Sequence, residues 1–294
     1  MINYAIPGLY EHFELNKKLI LLMETNPEYF YDNINIEAAY GVFPFSIFDG
    51  GRILDSDKHS TPEEIEKIVQ FYNDHHVSAR LVYTNCQLTA ANYTNKFGNI
   101  VLDICNKNNN QVVIADDNFK DYIKEYYENL SFLSSTTKCL KSNEFLLELQ
   151  KEDYIEVCLD YNLNHNWQML ESLSEEERKK CEFLCNPICR SGCPGRKKHY
   201  LLNSISNLNY GKYYEVPFCR NIQKIFSTGE EFYTNNISYN EIIDKYEPLG
   251  FTHFKLEGRT YDDIDQTLIY SEYMVKPQYR SFFISDMLTQ KNFT

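Results

Sequence analysis

The residue types with the clearest chemistry are four cysteines that recur every four residues, at Cys181, Cys185, Cys189 and Cys193. Thiolates grouped this closely in one segment are typical of a metal ion or an iron–sulfur cluster. The alternative is a set of buried free thiols, because cysteine is among the most buried residue types. Proline and glycine interrupt the segment, so we expect a loop rather than a packed helix. This pattern favours the metal or the cluster.

The composition excludes one broad class of function. The chain has 294 residues, of which 43% are hydrophobic and 24% charged, as in an ordinary globular protein. Its net charge of −13 argues against a protein whose main role is to bind nucleic acid, since phosphate contacts need a basic surface. One local basic patch, RSGCPGRKKH at residues 190–199, is either functional or a solvated loop.

The sequence shows no feature of a secreted or membrane protein. Its first residues lack the apolar core of a signal peptide, and no apolar run reaches the roughly 18 residues that a membrane span needs. The nine cysteines are odd in number and lack the spacing of a small secreted scaffold. We therefore expect a reducing, cytoplasmic location without membrane contact, where clustered cysteines bind metal rather than form disulfides.

Short apolar runs alternate with amphipathic stretches along the whole chain, and this order predicts the fold. The clearest helix start is Thr61 as N-cap with Pro62 in the first turn, for a helix running to about His75. The other candidate helices are Asn118–Glu128, Ser142–Lys151, Ser174–Lys180 and Tyr261–Tyr273. The candidate strands are Leu19–Met23, Ile36–Ala39, Ala79–Tyr83, Gln111–Ala115, Ser131–Ser134, Tyr154–Leu159, Glu182–Cys185 and Thr252–Leu256.

Strand and helix alternate about eight times, which predicts an α/β fold of the (β/α)8 TIM-like barrel type. An open doubly wound sheet is the alternative, but no G-x-G-x-x-G sequence follows any candidate strand. We expect a single domain over residues 1–294, with an insertion at residues 203–240 between the last two strands.

In such a barrel the chemistry lies where the strands end, at the carboxyl-terminal face. In the eighth candidate strand, Lys255, Glu257 and Arg259 are spaced to share one side. Lys255 and Glu257 are either catalytic or a structural ion pair. Arg259 is a substrate-binding candidate, because arginine binds carboxylate or phosphate in bidentate geometry.

Polar residues after the other candidate strands complete the predicted site. Some are cations that would hold an anionic group, and others would orient the reacting group or move protons. A histidine near the cysteine segment is a proton donor or a substitute ligand. The substrate-binding candidates are Arg52, Asn85, Lys138 and His199, and the catalytic candidates are Asp160 and Asn162.

The segment GFTHFKLEGRTYDDIDQTLIYSEYMVKP resembles the F-K-I-E-G-R ending of the collagenase-like peptidase-U family. The resemblance is specific at Phe254–Arg259 and loose over about 18–276. It implies a TIM-like barrel with a four-cysteine [4Fe–4S] cluster. It also implies oxygen-independent hydroxylation in ubiquinone synthesis or on RNA bases, with prephenate as oxygen donor in the RNA branch. The chain departs from the family at Asp160–Leu163, which replaces the usual R-E-L, and at Cys185–Cys189, which replaces H-G-A-x-C.

Together the spacing and the resemblance suggest which cysteines are ligands. Cys189 and Cys193 are the strongest ligand candidates. Cys185, at the end of the seventh strand, is the third. Cys181 would begin that strand, and a rise of about 3.3 Å per residue places it outside the cluster. We expect Cys219 from the insertion as fourth ligand, with Cys139 in reserve. A zinc ion on the same cysteines is the alternative to a [4Fe–4S] cluster.

Three functions follow from these expectations. The first is an iron–sulfur enzyme that modifies a small molecule or an RNA base at the barrel mouth. The second is a non-catalytic, metal-stabilised partner subunit of a heteromeric complex. The third, a peptidase, is suggested by the family name alone, since no nucleophile with a base and no H-E-x-x-H sequence is evident.

Overall fold

The protein is a closed barrel of parallel strands, as the sequence predicted. The computed structural model describes residues 1–53, 58–210 and 234–289. Each strand pairs with the next along the chain, and the eighth closes on the first. The strands are β1 Ile2–Pro7, β2 Ile34–Gly41, β3 Ser78–Tyr83, β4 Gln111–Ile114, β5 Ser131–Ser134, β6 Tyr154–Cys158, β7 Cys181–Leu184 and β8 His253–Lys255.

Helices connect the strands, and the predicted start of one is reproduced. The side chain of Thr61 accepts a hydrogen bond from the N–H of Glu64, with Pro62 in the first turn. The helices are α1 Phe13–Thr25, α2 Pro62–Asp74, α3 Ala90–Tyr93, α4 Lys96–Cys105, α5 Asp117–Tyr126, α6 Ser142–Leu149, α7 Trp167–Ser172, α8 Glu175–Lys179, α9 Arg196–Leu208, α10 Tyr239–Glu241, α11 Asp263–Met274 and α12 Arg280–Leu288.

The prediction of a first strand at Leu19–Met23 was wrong, because this run lies inside α1. The run is rich in leucine, which favours a helix. Leu15, Leu19 and Leu22 are buried on one helical face, at the spacing of an amphipathic helix. The first strand is instead Ile2–Pro7, whose pairing with β2 and β8 closes the barrel.

Strand register decides which side chains face the barrel interior. Leu184 pairs with Lys255 across β7 and β8, and both side chains line a cleft at the barrel mouth. Phe183 and Phe254 alternate with them and therefore point outward, where their rings stack 5.8 Å apart under the helices. Positions 182, 184, 253 and 255 thus face inward, while position 185 faces the helices.

Two expectations concern regions that the structure describes only in part. The predicted insertion at residues 203–240 begins within α9, and residues 211–233 lie outside the described residues. The assignment of a single domain stays a prediction. In the described part of the chain, no helix is long and apolar enough to cross a membrane.

Candidate functional site

A small cleft opens at the carboxyl-terminal ends of the strands. Its volume is about 70 Å³. Five residues predicted from the sequence line it, namely Arg52, Cys189, Lys255, Glu257 and Arg259. Active sites of barrel enzymes lie at this face, so the cleft is the candidate functional site.

Lys255 lines the cleft at the end of β8. Its side chain is buried, with 7% of the residue exposed. The ammonium lies 4.1 Å from the centre of the Tyr40 ring, a cation–π distance, and 3.8 Å from a carboxylate oxygen of Glu182. The hydroxyl of Tyr40 donates to the carbonyl of Leu256 at 2.7 Å, which fixes the ring under the amine.

Glu257 holds the loop that carries the cysteines. Its carboxylate accepts a hydrogen bond from Arg52 and a second, 2.8 Å long, from the N–H of Ile188. The side chain of Asn186 pairs with both backbone groups of Glu257, at 2.7 and 2.9 Å. The carboxylate predicted as catalytic is therefore bound on two sides, which favours a positioning role.

Arg259 is fixed from behind by a buried acid. Its guanidinium donates to Asp49 at 2.8 Å, and Asp49 also accepts from the N–H of Gly51 and the hydroxyl of Thr84. Burial lowers the pKa of Arg259, but Asp49 and Glu11 outweigh it and raise the pKa above its ordinary value. The guanidinium is charged and held at the edge of the cleft.

The structure separates two of the predicted cysteine ligands. Cys189 lines the cleft, but Cys185 is fully buried on the other side of the barrel wall. Burial raises the pKa values of Tyr4, Tyr246 and Tyr273, and the nearby thiol of Cys185 adds to each rise. Strand alternation is the reason, because position 184 faces inward and position 185 faces the helices. This placement does not favour Cys185 as a ligand beside Cys189, and its role in the cluster stays a prediction.

The described cysteines are spaced more widely than the ligands of a zinc ion. Four thiolates around zinc, each about 2.3 Å from the ion, bring their sulfurs within about 4 Å of one another. Nowhere in the described ranges do three cysteine sulfurs lie within 4.8 Å of each other. The predicted fourth ligand, Cys219, lies outside the described residues, so zinc stays the alternative cofactor.

The [4Fe–4S] cluster and its ligand set stay predictions. Cys193 lies in the loop beyond Cys189, next to Gly192, whose positive φ of 62° turns the chain. Burial raises the pKa of Cys139, the reserve ligand, with a smaller effect of its neighbour Cys189. Cys181 begins β7 and is buried there.

Asp160 and Asn162 form hydrogen bonds between loops and do not line the cleft. Asp160 accepts from the backbone N–H and the side chain of Asn162, and from Arg196 at 2.9 Å. Arg196, which is 4% exposed, lies over the ring of Tyr161 and donates to the carbonyl of Thr136. Sequence reasoning missed Arg196, although it belongs to the basic patch at residues 190–199.

Three predicted substrate-binding residues lie outside the cleft. Lys138 donates to Asp117 and Glu148 in a partly buried ion network. Asn85 is buried and donates to two backbone carbonyls, at 2.7 and 3.0 Å. His199 lies on α9, where burial and the charge of Arg52 lower its pKa. These residues support the mouth without touching the cleft.

The barrel interior holds a charged network that sequence reasoning also missed. Arg80 is fully buried and donates to Glu182, Glu156 and Glu37. His253 joins the network through Glu37 at 2.7 Å. The available signal was a charged residue inside each otherwise apolar strand, as in SARLVY and YIEVC. Glu37, Glu156 and His253 are close enough to hold a metal, but Arg80 already supplies the compensating charge.

The comparisons with known proteins support the fold. No family model and no curated protein matches the chain. A solved structure described as the U32 peptidase Mk0906 matches with a TM-score of 0.51 and 14% identity, covering 88% of this chain and 93% of that chain. That protein carries the family name suggested by the residues of β8. At this identity the match establishes a shared barrel fold.

Proposed function

We propose that the chain is an enzyme of the collagenase-like peptidase-U type that binds a small carboxylate at the barrel mouth. The observation that carries this proposal is the convergence of Arg52, Lys255 and Arg259 on one cleft. Arginine and lysine side chains held in a concave, partly dry site are typical of carboxylate and phosphate binding.

The three cations differ in what already compensates their charge. Arg52 is paired with Glu257, and Arg259 with Asp49. The ammonium of Lys255 makes no hydrogen bond to any described residue, and its nearest acid, Glu182, bonds more closely to Arg80. The ammonium of Lys255 therefore has donors to offer to an incoming anion. We infer that Lys255 is the main ligand-binding cation.

The cleft also limits the substrate. Its small volume suits a compact acid or one group of a larger ligand rather than a peptide chain. Prephenate, a compact dicarboxylic acid, fits this class, and its use follows from the sequence resemblance. The finer proposal is oxygen-independent hydroxylation of a small molecule or an RNA base.

The cofactor proposed with this reaction is a [4Fe–4S] cluster, which would supply electrons or an open iron for a substrate oxygen. Cys189 is the predicted ligand that lines the cleft, with Cys193, Cys139 and Cys219 as its companions. The chain's own part in the chemistry is to hold the anion with Lys255, while Arg52 and Glu257 fix the cysteine loop.

Two other functions have less support. For a peptidase, the cleft is small and no histidine lines it among the described residues. For a partner subunit in a heteromeric complex, exposed apolar side chains such as Ile264 and Leu268 on α11 offer contact area. The cleft of paired cations has no role in that second function.

Titration calorimetry with prephenate and malonate tests the proposal. We expect the wild-type chain to bind, and the substitution Lys255→Met to weaken binding at least tenfold. Lys138→Met is the matched control, because that lysine was also a candidate but lies outside the cleft. Equal binding by the wild-type chain and Lys255→Met, or no binding by the wild-type chain, would overturn the proposal.

A further inference from the structure

A second cavity beside the mouth is acidic and contains a buried histidine. It has a volume of about 310 Å³ and is lined by His12, Glu14, Glu64 and Asp263, among others, and by no lysine or arginine of the described residues. It shares Tyr10 and Glu11 with a cleft that reaches Arg52 and Arg259. The cavity has the charge of a cation site and lies next to the proposed anion site.

His12 presents one ring nitrogen to this cavity without a hydrogen-bond partner. The residue is 5% exposed, and its Nε2 lies 3.1 Å from the carbonyl of Gly258. A carbonyl only accepts, so Nε2 carries the hydrogen and, in the neutral ring, Nδ1 carries the lone pair. Nδ1 is buried and makes no hydrogen bond to a described residue. Metal-binding histidines are oriented in this way, with the other nitrogen donating to a carbonyl.

The neighbouring carboxylate lies at the spacing of a second metal ligand. Oδ1 of Asp263 is 3.4 Å from Nδ1 of His12 but makes no hydrogen bond with it. Two ligand atoms about 2.0–2.1 Å from one ion in tetrahedral geometry lie roughly 3.4 Å apart. The pair therefore matches two corners of a metal site.

We propose that His12 and Asp263 bind a divalent transition-metal ion, such as Mn²⁺ or Zn²⁺, in this cavity. One imidazole with carboxylates suits these ions. No third ligand from the described residues lies within 4.8 Å of both atoms. Glu14 or Glu64, whose exposed side chains line the cavity, turns inward to complete the site together with water. This ion is separate from the iron of the proposed cluster, and its binding does not depend on the proposed function.

The backbone around His12 supports a fixed ligand. Gly8 has a positive φ of 82°, and a Cβ at this position would lie 2.4 Å from the His12 ring. Only glycine allows the ring to lie against the β1 loop in this way. Binding thus needs movement of the exposed acids but none of the histidine.

The probe is Mn²⁺, because the cysteines of the chain compete for Zn²⁺. Electron paramagnetic resonance measures the free ion during titration of the full chain. We expect one Mn²⁺ per chain in this cavity, and at least tenfold weaker binding after His12→Ala or Asp263→Asn. The second variant keeps the shape of an exposed side chain and leaves folding intact, which circular dichroism checks.

The matched control is His75→Ala, since His75 also pairs with a carboxylate, Glu24, but lies on the surface outside this cavity. It should bind like the wild-type chain. The proposal is overturned if the wild-type chain binds no Mn²⁺ at millimolar concentration, or if Asp263→Asn binds as tightly as the wild-type chain. A protonated His12 paired with Asp263, and no metal, would give the first of these results.

Discussion

The carboxylate of Glu257 accepts a 2.8 Å hydrogen bond from the backbone N–H of Ile188. This contact joins the end of β8 to the loop that carries Cys189, so the cleft and the cysteine loop are one structural unit. Arg52 binds the same carboxylate from the other side. The arrangement explains how a loop rich in proline and glycine keeps its place at the mouth of the barrel.

Replacing Glu257 by alanine should loosen the cysteine loop. The variant loses charge-assisted hydrogen bonds, each worth about 1.5–3 kcal/mol. We expect alkylation of Cys189 to become at least tenfold faster and amide exchange at residues 186–193 to increase. Glu66→Ala, which removes an exposed ion pair with Lys107, is the control and should change neither rate. Unchanged alkylation in Glu257→Ala would show that the loop is held by other contacts.

Replacing Asp160 by asparagine should lower stability. The variant leaves the guanidinium of Arg196, which is 4% exposed, without its ion-pair partner. Breaking a buried ion pair on one side costs about 3–5 kcal/mol, and we expect a loss near the lower end because asparagine keeps some hydrogen bonds. Urea unfolding measures the loss, with Glu66→Gln as an exposed control. A loss of activity at unchanged stability would instead support the catalytic role predicted from the sequence.

Stability should fall as the pH rises through the pKa of His253. Burial lowers this pKa, but the hydrogen bond to Glu37 and the charges of Glu37, Glu156 and Glu182 outweigh it and raise the pKa to about 9, from 6.5. The folded chain therefore binds an extra proton between these values. Below about pH 6.5, protonated His253 makes its full contribution to the free energy of unfolding. On the order of 2 kcal/mol of this contribution is lost by about pH 9.

Urea unfolding from pH 6.5 to 9.5 measures this dependence. His253→Gln should flatten the curve, whereas His75→Gln, in the surface pair with Glu24, should leave it steep. Glu156 adds a fall of the same sign at lower pH, because burial raises its pKa to about 7 despite Arg80. An equal slope in the wild-type chain and His253→Gln would exclude the assignment.

The two cysteines at positions 185 and 189 should behave differently. We expect protein purified without oxygen to contain about four irons per chain and to absorb in the visible range. Cys189→Ala should lose this absorbance, whereas Cys185→Ala should keep it, because its thiol is buried on the helix side of the wall. Loss of iron in both variants would indicate that Cys185 is also a ligand of the cluster. A colourless wild-type protein containing zinc would exclude the cluster.

The fold was predictable because the barrel repeats one simple pattern. Seven of the eight candidate strands lie at strands of the structure, and each has apolar residues with flanking turn signals. The prediction of a strand at Leu19–Met23 failed because a short leucine run does not by itself distinguish a buried strand from a buried helix. In the structure this run belongs to α1, and Leu19 and Leu22 lie on its buried face.

The site was predictable at the end of β8 and in the residues directly after it. Lys255, Glu257 and Arg259 were expected on one side, and all three line the cleft. Elsewhere the outcome depends on register and on distant partners. Neighbouring positions of a strand point to opposite faces of the sheet. Cys185 follows the inward-facing Leu184 and therefore points towards the helices. Lys138 is bound by Asp117 and Glu148, and no local pattern gives such a pairing.

The most direct test of the proposed carboxylate site is a crystal structure of the chain grown with prephenate or malonate. The proposal predicts a carboxylate within hydrogen-bonding distance of Lys255, facing Arg52 or Arg259. A ligand bound at another surface, with this cleft empty at a saturating concentration, would contradict it.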